Sequence, residues 1–572
     1  MQINNNNNRA LFENNKEMQK HGVQRHHVHH NVEPESKPSN KVVTSDVVSV
    51  YYNIKSPTVA PYKNDLKTKF EDNKAVIYAL IPRTFNAKDK DGDGLIKNGE
   101  EGGTFLNAIE RLDELKSYGV NALHILPCYD LNLSQAMGTA GSIYSASDFL
   151  TLDPKLDDKR DPRTVDEEFK QFTDECHKRG ISVMLDIPGC AGIDFYNNRP
   201  ELMSKNEDGT PKIPQGWQDI RMMEAWKDKD TKKLNEHLVN YYKQYVDKYM
   251  DLGVDGFRVD VARSKPSEFW NEIIPYARKR DPECAFLAES YTYEDASPMA
   301  NVSADRPEDL LRAGFDSYYG QYHIFNEWND SKEFHDNMIL NLEMSKNLPG
   351  KKSLIGSFAT HDDKSPMSSG GVDYVNLTTG IQDTLPMTNP YFVTGVETGD
   401  TYIYPYGNKI AEDGVSVTDS NKYTVHPEKL DIFNASAKPQ GEHPEIGKFM
   451  GEMAKLRTQY EDVITRGSYI PLDTSNKEDK IIAYARHLDG KTLLVIANKD
   501  VNNTQSGKIN IKGLKPTQVM TDLAPENAGP ATAKAYQGGV EVKLSPAKFT
   551  MFEIDTPEIE KSGVKVYKQN NM

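Results

Sequence analysis

The chain has 572 residues and a formal net charge of −16, from 85 acidic and 69 basic residues. This balance disfavours nucleic acid and anionic membranes as partners, because both would repel an acidic protein. Hydrophobic residues make up 37% of the chain, which is enough for a large core and excludes global disorder. The length suggests one large barrel with satellite domains, or about three or four smaller domains.

Residues 1–70 are polar and rich in asparagine, and we predict a disordered N-terminal tail. The histidines of the segment 26–30 could bind a transition metal. No carboxylate or cysteine completes such a site, so a solvated tail is the favoured interpretation.

Cysteine usage and apolar runs indicate the compartment. The four cysteines lie far apart without a CxxC pair, which argues against a disulfide scaffold or a zinc site. The first residues lack the apolar region of a secretory signal, and no run of about 18 apolar residues occurs. We therefore expect a cytoplasmic protein.

Short apolar runs alternate with amphipathic segments from residue 71 to residue 455. The strand-like runs are 75–80, 122–126, 181–185, 256–260, 285–289, 313–318 and 353–358. Sustained alternation of this kind predicts parallel βα units. We predict an α/β fold, a TIM (β/α)8 barrel, with an open doubly wound sheet as the alternative.

Two segments depart from this alternation. Residues 187–233 are too long for a simple βα loop and contain several prolines and glycines, so we predict a short inserted subdomain after the third strand. Strand-like runs with glycine and asparagine turns predict a C-terminal all-β sandwich over 456–556. Residues 557–572 are expected to form a loose tail.

Charged side chains follow several of the predicted strands. The carboxylates are Asp186, Asp260, Glu289 and Asp362, and Arg258 and His361 stand beside them. In a barrel the carboxyl ends of the strands meet on one face, where active sites form. We expect the charge of Arg258 to keep Asp260 ionised, and the apolar run before Glu289 to raise the pKa of Glu289.

Paired carboxylates of this kind are typical of glycoside hydrolysis. One carboxylate attacks the anomeric carbon and a carboxylic acid protonates the leaving oxygen, at about 5–5.5 Å from each other in retaining enzymes. Strand-end acids also cap helices or bind structural ions. Four acids at this register, with an arginine and a histidine, favour catalysis.

These segments resemble the α-amylase family of glycoside hydrolases, family 13, over residues 74–555. The sequences DGFRVD (255–260), FLAE (286–289) and FATHD (358–362) are similar to three motifs of that family, in the same order. The resemblance implies Asp260 as nucleophile, Glu289 as acid/base and Asp362 as the residue that stabilises the transition state. The candidate substrate-binding residues are Arg258, His361, Tyr144, Asp186 and Arg263. The family fold is a TIM barrel with an insertion after the third strand and a C-terminal β-sandwich.

The chain departs from the family pattern at three places. Cys190 and Ala191 stand where the family has an Asn-His pair, Ser145 replaces an aspartate, and Arg263-Ser264 replaces a Lys-His pair that serves a calcium site. Loss of one neutral hydrogen bond costs about 0.5–1.5 kcal/mol, which attenuates turnover without abolishing it. We predict a retaining hydrolase of α-glucan or maltooligosaccharide, with a glucanotransferase or a silent carbohydrate-binding relative as alternatives. Linkage specificity and oligomeric state stay open.

Residues 89–100, DKDGDGLIKNGE, match the calcium-loop pattern D-x-D-x-D-G-x5-E at every specified position. Hard oxygen ligands at this spacing suit Ca²⁺, and a polar turn is the alternative. We predict one structural calcium site, and the resemblance also implies calcium in this loop. The predicted ligands are Asp89, Asp91, Asp93, the carbonyl of Leu95 and Glu100.

Overall fold

The computed structural model describes residues 61–91, 96–97, 99–131, 142–214, 219–292, 305–401, 442–527, 529–556, 559–561 and 565–568. The histidines of segment 26–30 and the predicted ligands Asp93 and Leu95 lie outside these residues. All described elements belong to one unit, residues 60–572. Within the described ranges, every helix is too short or too polar to serve as a membrane-spanning segment.

The first part of the chain alternates strands and helices up to the third barrel strand. Its elements are α1 (Leu66–Glu71), β1 (Ile77–Leu80), α2 (Phe105–Ala108), α3 (Leu112–Ser117), β2 (Ala122–Ile125), β3 (Tyr129–Leu131), β4 (Ala146–Leu152), α4 (Val165–Lys178) and β5 (Ser182–Ile187). The strands β1, β2 and β5 are buried along their whole length, as expected for parallel strands covered on both faces.

The next elements include the predicted insertion and the rest of the barrel. They are β6 (Cys190–Ala191), α5 (Ile193–Asn198), β7 (Arg221–Met222), β8 (Trp226–Asp228), β9 (Lys233–Leu234), α6 (Glu236–Asp251), β10 (Gly256–Val259), α7 (Ser267–Arg280), β11 (Ala285–Tyr291), α8 (Pro307–Arg312), β12 (Ser317–Gly320), α9 (Ser331–Ser345), β13 (Ser353–Ile355), α10 (Pro366–Thr384), β14 (Thr388–Asn389) and β15 (Tyr391–Val393). Residues 187–233 contain two small antiparallel pairs, β6 with β7 and β8 with β9.

Parallel pairing closes the large sheet into a barrel. The strand order is β14-β13-β12-β11-β10-β5-β2-β1-β15. The two end strands, β14 and β15, are separated in sequence by Pro390 alone, so they are two halves of one interrupted eighth strand. The predicted TIM barrel is therefore confirmed, and the open-sheet alternative is wrong.

Local sequence signals explain the boundaries of the barrel helices, and α4 shows this clearly. Thr164 and Glu167 form a reciprocal capping box at its first turn. Phe169, Phe172 and Cys176 lie on one face of α4 and are buried against the barrel. The helix gives way to β5 at Gly180, whose φ of +69° suits glycine.

The C-terminal part begins with two helices and continues as β-strands. Its elements are α11 (Pro444–Gln459), α12 (Glu461–Arg466), β16 (Ser468–Pro471), β17 (Ile481–Leu488), β18 (Lys491–Asn498), β19 (Gln505–Asn510), β20 (Ala531–Tyr536), β21 (Gly539–Leu544) and β22 (Phe549–Ile554). Two antiparallel sheets form, ordered β16-β17-β18-β22 and β19-β21-β20. Residues of both sheets, including Leu494, Phe552, Ile509 and Val540, share one apolar core. The predicted β domain agrees with this arrangement, and its boundaries stay a prediction.

Ordered structure extends into both predicted tails. Helix α1 lies within the predicted N-terminal tail, and its Leu66 and Phe70 are fully buried. The predicted boundary at residue 70 therefore falls inside a packed helix. The sequence did not reveal this helix, because one pair of apolar residues four apart is too short a pattern to show helical periodicity. Near the other end, Ile559 is buried and Tyr567 pairs with Tyr469 through the backbone. The predicted loose tail is therefore packed in part.

Candidate active site

The structure brings most of the predicted site residues together at the carboxyl ends of the barrel strands. Asp186 lies near the end of β5, Arg258 in β10, Asp260 directly after β10, and Glu289 in β11. Two further segments join them: His361 and Asp362 follow β13, and Tyr144 precedes β4. Arg263 lies in a short helical turn after β10, Ala262–Ser264, and is partly exposed.

Arg258 is the centre of this cluster and is fully buried. Its Nη1 donates to both carboxylate oxygens of Asp186, at 3.0 and 2.8 Å, and to Asp260 Oδ1 at 3.1 Å. Its Nη2 lies 2.8 Å from Glu289 Oε2. One guanidinium therefore holds three carboxylates and offsets their mutual repulsion.

Asp260 is held from two sides. Its Oδ2 accepts the backbone N–H of Gly189 at 2.9 Å, and its Oδ1 faces Arg258. Burial and then the charge of Glu289 raise the pKa of Asp260 to about 8, against the opposing charge of Arg258. The expectation that Arg258 keeps Asp260 ionised is therefore wrong for the substrate-free site, because the adjacent cation does not outweigh desolvation and a second carboxylate.

The Glu289 carboxylate is held by a hydrogen bond from the strained backbone of Val261. Its Oε2 accepts the N–H of Val261 at 2.7 Å, and its Oε1 accepts the hydroxyl of Tyr291 at 3.3 Å. Val261 has a φ of +38°, a left-handed conformation that is unusual for a β-branched residue. Such strain occurs where surrounding structure enforces it, and here it points an N–H donor at Glu289.

Tyr144, His361 and Asp362 adjoin the cluster, and the Tyr144 hydroxyl donates to Asp186 Oδ2 at 3.0 Å. The rings of Tyr144 and His361 are stacked, and Tyr144 Oη lies 2.8 Å from His361 Nε2. Burial lowers the pKa of His361 well below its usual value, so its imidazole is neutral near pH 7. Burial within the cleft and then the charge of Glu289 raise the pKa of Asp362. The first effect is limited because 35% of the side chain is exposed.

The sequence departures have structural counterparts. Cys190 and Ala191 are both buried, and as β6 they pair with β7 through the backbone. Ser145 is fully buried, and its hydroxyl donates to the carbonyl of Asp219 at 2.8 Å. These three side chains are therefore used for packing and for holding the inserted subdomain.

Several residues of the cluster were not predicted from the sequence. They are His124, Gly189, Val261, Lys265 and Tyr319. His124 contacts Asp186 Oδ2 at 3.1 Å, and Tyr319 accepts from Arg258 Nε at 3.0 Å. A histidine within the apolar run of β2 is a signal that could have identified His124, because a buried polar residue needs a partner. Tyr319 lies in the run SYYG, which has no comparable signal.

The predicted calcium loop lies apart from these residues in sequence and has a suitable donor set. Oxygens of Asp89, Asp91 and Glu100 lie within 4.8 Å of one another. The Glu100 carboxylate accepts the N–H groups of Lys90 and Lys97, and Lys97 Nζ lies 3.0 Å from Asp91 Oδ2. Three converging carboxylates fit a hard divalent cation, with Lys97 as a competing charge.

The fold and the cluster define a class of protein: a (β/α)8 barrel with a carboxylate site at the strand ends, as in many glycoside hydrolases. Residues 79–188 match the family model described as "Alpha amylase, catalytic domain". A maltogenic alpha-amylase of Bacillus acidopullulyticus is 23% identical over 462 residues, 75% of this chain and 70% of its own length.

Two further comparisons agree with this class. An alpha-1,4-glucan:maltose-1-phosphate maltosyltransferase of Bifidobacterium animalis subsp. lactis is 23% identical over 473 residues, 76% of this chain and 56% of its own length. The crystal structure of a maltogenic alpha-amylase from Thermotoga neapolitana superimposes with a TM-score of 0.60 at 19% identity, covering 85% of this chain and 99% of that one. The chain is therefore similar, at low identity, to the α-amylase family, glycoside hydrolase family 13, and has the barrel fold of its solved neighbours.

Proposed function

We propose that the protein is a retaining glycoside hydrolase that cleaves α-glucosidic bonds of α-glucan or maltooligosaccharide. The observation that carries the proposal is the placement of Asp260 and Glu289 on either side of the Arg258 guanidinium at adjacent strand ends. The named activities of relatives such as the maltogenic alpha-amylase supply the substrate class.

The reaction divides into two displacements at the anomeric carbon. In the first, an oxygen of Asp260 bonds to this carbon while the glycosidic bond breaks and the leaving oxygen takes a proton from Glu289. In the second, Glu289 removes a proton from water, the water oxygen bonds to the anomeric carbon, and Asp260 is released. Asp362 and His361 are proposed to contact the reacting sugar through its hydroxyl groups.

The electrostatics of the cluster support a shared proton. Because burial and the charge of Glu289 raise the pKa of Asp260 to about 8, the substrate-free carboxylate cluster holds a proton near neutral pH. Attack by Asp260 and donation by Glu289 require this proton to lie on Glu289 in the substrate complex. Coupled carboxylates exchange a proton in this way, since the titration belongs to the pair.

The proposal is tested with a defined maltooligosaccharide, following reducing ends and product lengths together. We expect wild-type protein to increase reducing ends, and Asp260→Asn and Glu289→Gln to lower the rate by at least about 1,000-fold each. Asp281→Asn, on the loop before β11, is the control and should leave the rate unchanged. Absence of Asp260-dependent turnover would contradict the proposal and favour a silent carbohydrate-binding relative.

A glucanotransferase is the second candidate, and the similarity to the maltosyltransferase supports it. The two reactions share the glycosyl-Asp260 intermediate and differ in whether water or a sugar hydroxyl accepts the glycosyl group. Product lengths that redistribute at constant reducing ends would establish transfer instead of hydrolysis.

We further propose one structural Ca²⁺ at Asp89, Asp91 and Glu100, supported by their converging oxygens. The ion would stabilise the loop between β1 and α2 and supply no step of the reaction.

A cytoplasmic location is also proposed, since all four cysteines, Cys128, Cys176, Cys190 and Cys284, are free buried thiols.

A further inference from the structure

A buried lysine lies beside the segment that holds the proposed nucleophile. Lys265 is 1% exposed, and its Nζ donates to the carbonyl of Gly189 at 2.9 Å and to Ser264 Oγ at 3.2 Å. The same Nζ lies 5.4 Å from the ring centroid of Tyr242. Burial lowers the pKa of Lys265 to about 8. A buried ammonium is costly unless its hydrogen bonds are made, so its partners give it a defined place.

Gly189 connects Lys265 to Asp260. Its carbonyl accepts from Lys265, and its N–H donates to Asp260 Oδ2 at 2.9 Å. A Cβ atom on Gly189 would lie 2.8 Å from the carbonyl oxygen of Asp260 and 3.0 Å from Oδ2. The backbone of Gly189 therefore contacts the carboxylate at a distance that only glycine allows, and its orientation sets the position of Oδ2.

The residues that follow Gly189 cannot fix this segment with strong side-chain hydrogen bonds. Cys190 offers a thiol, which is a weak donor, and Ala191 a methyl group. Other anchors are the hydroxyl of Tyr242, which donates to the carbonyl of Pro188 at 3.2 Å, and the pairing of β6 with β7. Lys265 is the charged group that holds the carbonyl of Gly189, the residue whose N–H contacts Asp260.

We propose that Lys265 is a positioning residue for the nucleophile: its ammonium fixes Gly189 so that the Gly189 N–H keeps Asp260 Oδ2 in line for attack. With Arg258 on Oδ1 and Gly189 on Oδ2, the carboxylate cannot rotate between the two displacements. The inference rests on the proposed function of Asp260. Because Lys265 is sealed from solvent, its loss affects the reacting geometry and leaves sugar binding in place.

The first test compares steady-state kinetics of Lys265→Met with wild type on a maltooligosaccharide. We expect kcat to fall about 10–100-fold, the scale of a misplacement of about 1 Å, with KM within about threefold. An unchanged kcat or a loss confined to KM in a folded Lys265→Met protein would overturn the inference.

A matched control separates positioning from general destabilisation. Lys352 also donates from Nζ to a backbone carbonyl, that of Phe315 at 2.7 Å, and its pKa is also lowered by burial. It precedes β13, at the opposite end of the barrel strands from the carboxylates. Lys352→Met should lower the stability and leave kcat unchanged. An equal loss of kcat in both variants would contradict a specific role for Lys265.

A second readout is independent of turnover. The stability difference between a protein and its Asp260→Asn variant grows with pH and becomes constant above the pKa of Asp260 in the folded protein, so the onset of this plateau reports that pKa. Removing the nearby ammonium in Lys265→Met should move the onset of the plateau upward by about one pH unit. If wild type shows no Asp260-dependent turnover, the proposed function fails while this shift still decides the coupling. An unchanged onset of the plateau overturns the inference.

Discussion

Asp260 shows how much a single side chain depends on residues distant in sequence. Arg258 is its neighbour on the strand, yet burial and Glu289, which lies on the next strand, dominate its ionisation. A site that must hold a nucleophile and an acid together is therefore unfavourable for folding. This cost should be measurable as a lower free energy of unfolding when Asp260 is ionised.

The stability cost of Asp260 gives a pH-dependent prediction. The pKa of Asp260 is near 4 in the unfolded chain and about 8 in the folded protein, so the folded state binds more protons in this range. Its contribution to stability is therefore lost as pH rises from about 4 to about 8. Asp260→Asn should match wild type near pH 4 and exceed it above pH 8 by about 5 kcal/mol, since each pKa unit corresponds to about 1.4 kcal/mol.

Urea unfolding between pH 4 and pH 9 measures this difference. Asp113→Asn is the control, because the pKa of Asp113 is lowered by its exposed pairing with Arg179, and its small effect has the opposite sign. Equal free energies of unfolding for Asp260→Asn and wild type at pH 9 would contradict the raised pKa of Asp260 in the folded protein.

At the scale of elements, the long loop between β1 and α2 allows a separate prediction. If Asp89, Asp91 and Glu100 bind Ca²⁺, the ion stabilises the folded protein by about 2.7 kcal/mol at 100 times its Kd. The Tm of thermal unfolding should rise when Ca²⁺ is added and fall when EDTA is added. Mg²⁺ should raise the Tm less, because it demands tighter octahedral geometry.

Two variants of this loop sharpen the calcium test. Asp89→Asn should weaken the calcium-dependent rise in Tm, since it removes one charged ligand. Lys97→Met should strengthen it, because Lys97 Nζ lies 3.0 Å from Asp91 and competes with the ion. A Tm that is the same with Ca²⁺ and with EDTA would contradict the calcium site.

At the scale of the whole molecule, the repeated order of strand and helix predicted the barrel, and the strand ends predicted the carboxylate cluster. The eighth strand was missed because Pro390 interrupts it and leaves β14 and β15 with only two and three residues. Lys265 and Tyr319 were missed because their roles depend on partners from other strands, which local sequence does not reveal. The pKa of Asp260 was misjudged for the same reason.

The stereochemistry of the product tests the central claim most directly. Proton NMR during the first turnovers of a maltooligosaccharide distinguishes the anomers of the newly released reducing end before mutarotation. Two displacements at one carbon, through Asp260, predict that the α-anomer forms first and that Asp260→Asn abolishes it. A β-anomer as first product, or an α-anomer formed equally by Asp260→Asn, would contradict the account.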